Sequence, residues 1–301
     1  MTKFKLFTAC LICMSIFYTP AGSALIGWWT KSNYCISTTG PTNACSSEFA
    51  DSRTFSGDAG YLVTATAWAN TAGSGNTALA GAEIAQYSGG LGVKNADAGS
   101  GSSDDDREGS TPEHSMDNDD RYDMILFEFK DQAGANIEIS LEDVTVGWYQ
   151  NDADISVLAY QGSGAPVLAG QNLDDLADKN LSGWEIVGNY DVDYLDPDPH
   201  YSNNHSVPQT APVNPNQISS SYWLIGAYNS LFASAGCDPG INNNYYCNGP
   251  DFAADYLKIM DLAGSIVDTP LPPASVPEPS SLLLLVPALF ITLRLRRQRA
   301  N

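Results

Sequence analysis

Tyr122-Asp123-Met124-Ile125-Leu126-Phe127-Glu128-Phe129 is the stretch of this 301-residue sequence that most clearly indicates the fold. Within it, Ile125, Phe127 and Phe129 recur at every second position, which places them on one face of an extended strand. Aromatic and β-branched side chains pack well on a pleated, half-buried surface. The stretch therefore predicts a β-strand with one buried face.

Similar alternating segments continue on both sides of this strand, and one segment, 173–180, is a helix candidate. The sequence does not predict a parallel α/β fold, because the strands do not alternate with long helices. Short strands joined by Gly, Asn and Asp turns predict an all-β fold, an antiparallel β-sandwich of jelly-roll type, as one domain over 25–267. The further predicted strands are 61–69, 82–87, 137–141, 144–148, 155–160, 184–190, 222–228 and 256–259.

The charge of this domain limits its partners. All 35 Asp and Glu residues lie between positions 25 and 279, where there are only eight Lys and Arg. Such an acidic surface repels nucleic acid and anionic lipid, so neither is expected as a partner. Divalent cations stay possible, and a solubilising acidic coat is the simpler explanation.

The N-terminus predicts a secretory signal peptide over 1–24. Lys3 and Lys5 precede an apolar run over 6–17, and the small residues 21–24 follow. A positive start, a short apolar core and a small-residue exit are typical of such a signal, and the run is short for a membrane span. We expect Sec-dependent export and cleavage after Ala24.

The C-terminus carries three features in a fixed order. A Pro-rich spacer over 268–275 leads to Val276-Pro277-Glu278-Pro279, an apolar segment over 281–295 predicts a single transmembrane helix, and several arginines close the chain. Prolines keep a segment extended and outside the helix. The arginines would stay cytoplasmic, which leaves the domain on the other side of the membrane.

This ordered tail, 276–301, closely resembles the PEP-CTERM sorting signal. The resemblance implies recognition of Pro277, Glu278 and Pro279 by an exosortase, a processing enzyme of Gram-negative bacteria that make exopolysaccharide. The chain would be anchored transiently in the inner membrane and then released to the cell surface or extracellular matrix. An ordinary stop-transfer anchor is the alternative.

Cysteine usage agrees with export. Outside the predicted signal peptide the chain has four cysteines, in two pairs spaced ten positions apart: Cys35, Cys45, Cys237 and Cys247. Four cysteines allow three connectivities, and the local pairing within each pair is favoured. Zinc binding is the rival interpretation, which the spacing and the scarcity of His disfavour.

Residues 89–129 carry a second resemblance to exosortase-dependent surface proteins. Gly89-Gly90-Leu91-Gly92-Val93 is followed by His114-Ser115-Met116-Asp117-Asn118 and then by Asp123 before an apolar strand. The resemblance implies a shared sandwich domain. Asp117, Asn118 and Asp123 are hard oxygen donors, which suit calcium, although a solvated turn is the simpler explanation.

Two further segments are candidates for ligand binding. The acidic segment Asp191–Tyr201 could hold calcium or a sugar, and a plain polar loop is the alternative. Tyr245 and Tyr246 lie between Cys237 and Cys247, and a disulfide-tied loop loses less entropy when it binds a ligand.

The sequence shows no nucleophile elbow, zincin motif or phosphate loop, so we expect no enzymatic activity. The leading hypothesis is a non-enzymatic protein of the cell surface or biofilm matrix. One alternative is a calcium-dependent carbohydrate-binding adhesin module that binds exopolysaccharide, and another is a secreted polysaccharide hydrolase.

Overall fold

The computed structural model describes residues 25–30, 34–40, 45–72, 77–95, 115–118, 121–150, 152–193, 204–235 and 255–267. Within them the chain forms 17 strands and two short α-helices. The strands are β1 (Leu25–Trp29), β2 (Cys35–Thr39), β3 (Phe49–Ala50), β4 (Ser52–Ser56), β5 (Leu62–Ala72), β6 (Ala78–Tyr87), β7 (Gly90–Lys94), β8 (Met116–Asp117), β9 (Asp123–Lys130), β10 (Ile139–Gln150), β11 (Asp154–Tyr160), β12 (Trp184–Asp191), β13 (Asn204–His205), β14 (Gln209–Pro212), β15 (Ser219–Ser220), β16 (Tyr222–Ala227) and β17 (Tyr256–Ile266), and the helices are α1 (Leu173–Leu176) and α2 (Lys179–Ser182).

The described strands form a large, curled, antiparallel sheet, which confirms the predicted all-β class. One group of strands is centred on the pairing of β10 with β17, and it also contains β1, β3, β7, β8 and β13–β15. The other group runs β2-β4-β5-β9-β16-β11-β12. Strand β6 pairs with β5 of the second group and with β3 and β7 of the first.

The main core contains side chains from both groups of strands. Ile125, Phe127 and Phe129 of β9 are fully buried in it, as the alternation of that stretch predicts. The ring of Trp28 from β1 meets the Phe129 ring edge-on, with the centroids 4.8 Å apart. Each such aromatic side chain contributes about 1.5–3 kcal/mol by leaving water, so this core supplies most of the driving force for folding.

Two regions of the chain are divided into elements differently from the prediction. Strand β10 is continuous where the sequence predicts two strands separated at 142–143. The register of β10 against β17 shifts at this point, between Leu141 and Asp143, so the strand continues through these polar residues. The predicted helix 173–180 is divided into α1 and α2. Asp178 is extended there, and its carboxylate accepts a hydrogen bond from the Asn180 N–H, so it begins a new helix.

The glycine motif is explained by close packing of backbones. Gly90 has φ +124°, and a Cβ on it would lie 2.3 Å from the Ile259 carbonyl oxygen of β17. A Cβ on Gly89 would lie 2.5 Å from the Cβ of Trp148. These glycines therefore let β7 approach β10 and β17 more closely than any side chain would allow.

The compact unit that contains these strands ends at Ile266. No helix among the described residues is both long and apolar enough to span a bilayer. The predicted signal peptide 1–24, the spacer 268–275 and the sorting tail 276–301 with its helix 281–295 lie outside the described residues.

Candidate metal centre

Three buried carboxylates converge at one end of the sheet. Asp152 lies in the connection from β10 to β11, Asp154 is the first residue of β11, and Asp255 directly precedes β17. One side-chain oxygen from each residue lies within 4.8 Å of the others. Their exposed fractions are 6%, 7% and 2%, so water screens this concentration of like charge only weakly.

Strand register and backbone hydrogen bonds bring these residues together. Asp154 begins β11 and lies opposite Asp191, the last residue of β12. On its other side, the Tyr228 N–H donates to the Asp154 carbonyl oxygen at 3.0 Å. The Asp154 N–H in turn donates to Oδ1 of Asp255 at 3.3 Å. The cluster therefore joins segments about 100 positions apart in sequence.

Asn118 fixes the orientation of Asp255. Its side-chain Nδ2 donates to the Asp255 carboxylate and, at 3.0 Å, to the Tyr228 carbonyl oxygen. Its Oδ1 accepts a hydrogen bond of 2.8 Å from the Asp255 N–H. A carboxylate with so many fixed contacts presents its oxygens in a defined direction, as a metal ligand must.

Asp193 adds a further carboxylate to the cluster. It follows β12 by two residues, its exposed fraction is 0%, and neither of its oxygens receives a hydrogen bond from a donor of the described residues. Its carboxylate interacts with those of Asp152 and Asp191. Oδ1 of Asp154 likewise receives no hydrogen bond from the part of the chain that the structure describes. The Asp193 carboxylate thus faces other hydrogen-bond acceptors.

Burial and mutual repulsion disfavour the charged forms of these acids. Burial, followed by the charges of Asp152, Asp255, Asp191 and Asp193, raises the pKa of Asp154 well above its usual range. Burial and the neighbouring Asp152 and Asp191 raise the pKa of Asp193 to about 9. Burial, together with Asp154 and Asp255, also raises the pKa of the Tyr228 hydroxyl. The cluster is thus a strongly negative environment that stabilises bound protons or a cation.

Only one of the three predicted calcium ligands contacts the cluster of carboxylates. Asn118 contacts the cluster through Asp255, whereas Asp117 and Asp123 are buried outside the group of three carboxylates. Asp191 and Asp193 belong to the acidic segment that the sequence singled out. Sequence reasoning missed Asp152, Asp154 and Asp255. The available signal was a pair of Asp-x-Asp motifs, 152–154 and 191–193, at the ends of adjacent strands.

The disulfide prediction is confirmed for one pair. Cys35 and Cys45 are joined, with their Cα atoms 5.7 Å apart, as expected from the local pairing. The second cysteine pair, the predicted ligand-binding tyrosines and the sorting motif lie outside the described residues; these are Cys237, Cys247, Tyr245, Tyr246, Pro277, Glu278 and Pro279.

A polar groove of about 350 Å³ is found near the other ends of β11 and β16. Its lining includes Asn136, Glu138, Tyr160, Gln161, Ser219 and Tyr222. The Gln161 side chain donates to the Ser219 carbonyl oxygen at 2.8 Å, and the Tyr222 hydroxyl lies 3.1 Å from a Glu128 oxygen. Hydroxyl, amide and carboxylate groups at such a groove can exchange hydrogen bonds with a polar ligand.

No family model, no curated protein and no solved structure matches this chain. Its function therefore has to be inferred from the residues themselves.

Proposed function

We propose that this chain is an exported, non-enzymatic protein of the cell surface or biofilm matrix, sorted by an exosortase of a Gram-negative bacterium. A signal peptide over 1–24 and a transmembrane sorting tail over 276–301 would direct it there. The body would be an antiparallel β-sandwich of jelly-roll type. Two strand groups that bury side chains in one core support that architecture.

The Cys35–Cys45 disulfide is the structural observation that carries this proposal. Disulfides form and persist in oxidising compartments outside the cytoplasm. Cys35 starts β2, and two of its neighbours on this strand, Ile36 and Ser37, are exposed. The bond therefore ties down a surface segment, which is the use expected in a secreted domain. It agrees with the basic, apolar and small-residue order of the N-terminus.

Mass spectrometry of the processed protein tests the sorting proposal. In a host that carries an exosortase, we expect a mature N-terminus at Leu25 and a C-terminus close to Pro277–Pro279. Replacing the motif residue Glu278 with Ala should leave the tail attached. Ser275→Ala, three positions upstream, is the matched control and should be processed normally. A wild-type surface protein that retains 281–301 would contradict exosortase processing.

The polar groove favours a second function, the carbohydrate-binding module. Sugars present hydroxyl groups and apolar ring faces, and the groove offers amides and acids beside the rings of Tyr160 and Tyr222. A glycan array probed with and without calcium tests this function. Binding to exopolysaccharide that Gln161→Ala abolishes would support it, while release of reducing sugar would instead support the hydrolase.

A further inference from the structure

We propose that Asp152, Asp154, Asp193 and Asp255 bind one calcium ion, and that this ion holds together the β10–β11 connection, the end of β12 and the start of β17. The proposal is independent of exosortase sorting. It rests on the positions of these side chains and on the absence of donors around Asp193 among the described residues.

The first step of the argument is chemical. The three clustered ligand atoms are all carboxylate oxygens, and no His or Cys belongs to the group. Zinc prefers nitrogen and sulfur ligands, whereas calcium takes six to eight oxygens at about 2.3–2.6 Å. Two oxygens on one calcium ion thus lie no more than about 5 Å apart, as those of the cluster do. Magnesium suits the site less, because it keeps several of its waters.

The second step concerns Asp193, which is not one of the three clustered residues. It is fully buried, and its two oxygens receive no hydrogen bond from an N–H or hydroxyl donor among the described residues. A buried carboxylate is ordinarily paired, hydrogen-bonded or bound to a metal. Here it interacts instead with two other carboxylates, those of Asp152 and Asp191. A cation among them would satisfy all of these acceptors at once.

The third step is structural. Hydrogen bonds from Asn118 and from the Asp154 N–H already hold Asp255 in place, while Asp154 is fixed between β12 and β16. Ligands supplied from strand ends in this way are preorganised, so the ion needs to order few further groups. An ion bound there cross-links the end of β12, which pairs with β11, to the start of β17, which pairs with β10.

Calorimetric titration of the exported, oxidised protein tests the site. After treatment with EDTA and dialysis, the protein is titrated with CaCl₂ alone and, separately, with MgCl₂. We expect one calcium per chain, at least tenfold weaker binding of magnesium, and a rise of several degrees in Tm with calcium. Asp154→Asn and Asp193→Asn should each weaken calcium binding at least tenfold. Asp174→Asn, which removes one charge from the exposed side of α1, should bind calcium like wild type.

Several outcomes would overturn the proposal. A wild-type protein that takes up no calcium at 1 mM would show that protons or water satisfy the cluster. Equal binding of magnesium would remove the selectivity for calcium. Loss of binding in Asp123→Asn, with binding retained in Asp154→Asn, would place the ion at the sequence-predicted ligands instead. Circular dichroism of each metal-free variant shows whether it folds, so that lost binding is separated from a lost fold.

Discussion

The two ends of strands β11 and β16 satisfy their polar groups in opposite ways. At the groove end, the Ser220 hydroxyl accepts from the Tyr222 N–H at 3.0 Å and lies 2.7 Å from the Tyr160 carbonyl oxygen. At the acid end, about 20 Å away along β11, carboxylates are directed toward carboxylates. One end is closed by hydrogen bonds within the protein. The other is complete only with a cation or with bound protons.

The largest expected effect is the removal of calcium, which should loosen only the acid end. At calcium concentrations about 100-fold above Kd, the bound ion contributes about 2.7 kcal/mol to the free energy of unfolding. Hydrogen exchange measured with and without EDTA should therefore show lost protection around 152–155 and 255–257. Protection of 219–222 should be retained. An equal loss at both ends would contradict the separation of the two regions.

Substitutions at the two ends should change stability with opposite signs. In the absence of metal, Asp193→Asn should stabilise the fold by about 1 to 2 kcal/mol, because the native carboxyl has to take up a proton or bury a charge on folding, whereas the amide does neither. Ser220→Ala should destabilise it by about 1 to 2 kcal/mol, because it leaves buried backbone groups without their partner. Urea unfolding in EDTA measures both changes. Destabilisation by both substitutions would show that the carboxylates are already satisfied within the protein.

Lys258 extends the comparison to a buried cation. Its ammonium group lies 4.2 Å from the centroid of the Trp148 ring and 4.6 Å from that of Tyr87, and burial lowers its pKa to about 8. Because the folded-state pKa is below the unfolded value, the folded protein releases this proton first as pH rises. Stability should therefore increase by about 1 kcal/mol between pH 7 and 9. Lys258→Met should lack this increase, and the same slope in both proteins would contradict the assignment.

The smallest effect is expected from the groove hydroxyl of Tyr222. Asn136 donates to this hydroxyl, which lies 3.1 Å from Glu128 at a partly exposed site. Tyr222→Phe should cost about 0.5 kcal/mol, whether or not calcium is present, because water replaces the lost contacts. Thermal unfolding in calcium and in EDTA checks this independence. A cost that depends on calcium would show that the two ends are coupled.

Much of the fold could be predicted from apolar strand segments. Period-2 alternation is clear in β9, whereas β11 and β16 are apolar runs that are buried on both faces. Strand β4 was missed, since its buried positions include Arg53, which is read as a surface residue. In the structure this guanidinium is buried and donates to the carbonyl oxygens of Ser47 and Glu48. Strands β1 and β2 are short, and β2 buries little, so their patterns are weak.

Only part of the acid cluster could be predicted from the sequence. Asp191 and Asp193 stand out as part of an acidic run, but their partners depend on the antiparallel register that sets Asp154 opposite Asp191. Asp255 joins through a hydrogen bond to Asn118, 137 positions away. Such long-range contacts depend on how the strands pair in the folded protein, and no local sequence pattern predicts them. Acidic residues are frequent throughout this chain, so composition could not distinguish the ones that converge.

The pairing of β1 with β17 has a mechanical consequence. These strands run antiparallel, with Leu25 opposite Ser265 and Trp29 opposite Asp261. A force that pulls residue 25 away from residue 266 therefore loads a single rung of this ladder at a time, beginning with the outermost. Ladders loaded in this way unzip at low force, whereas those loaded along their strands share the load among all rungs. Tension between these two points would peel β1 from the sheet and uncover Trp28 before the remaining strands yield.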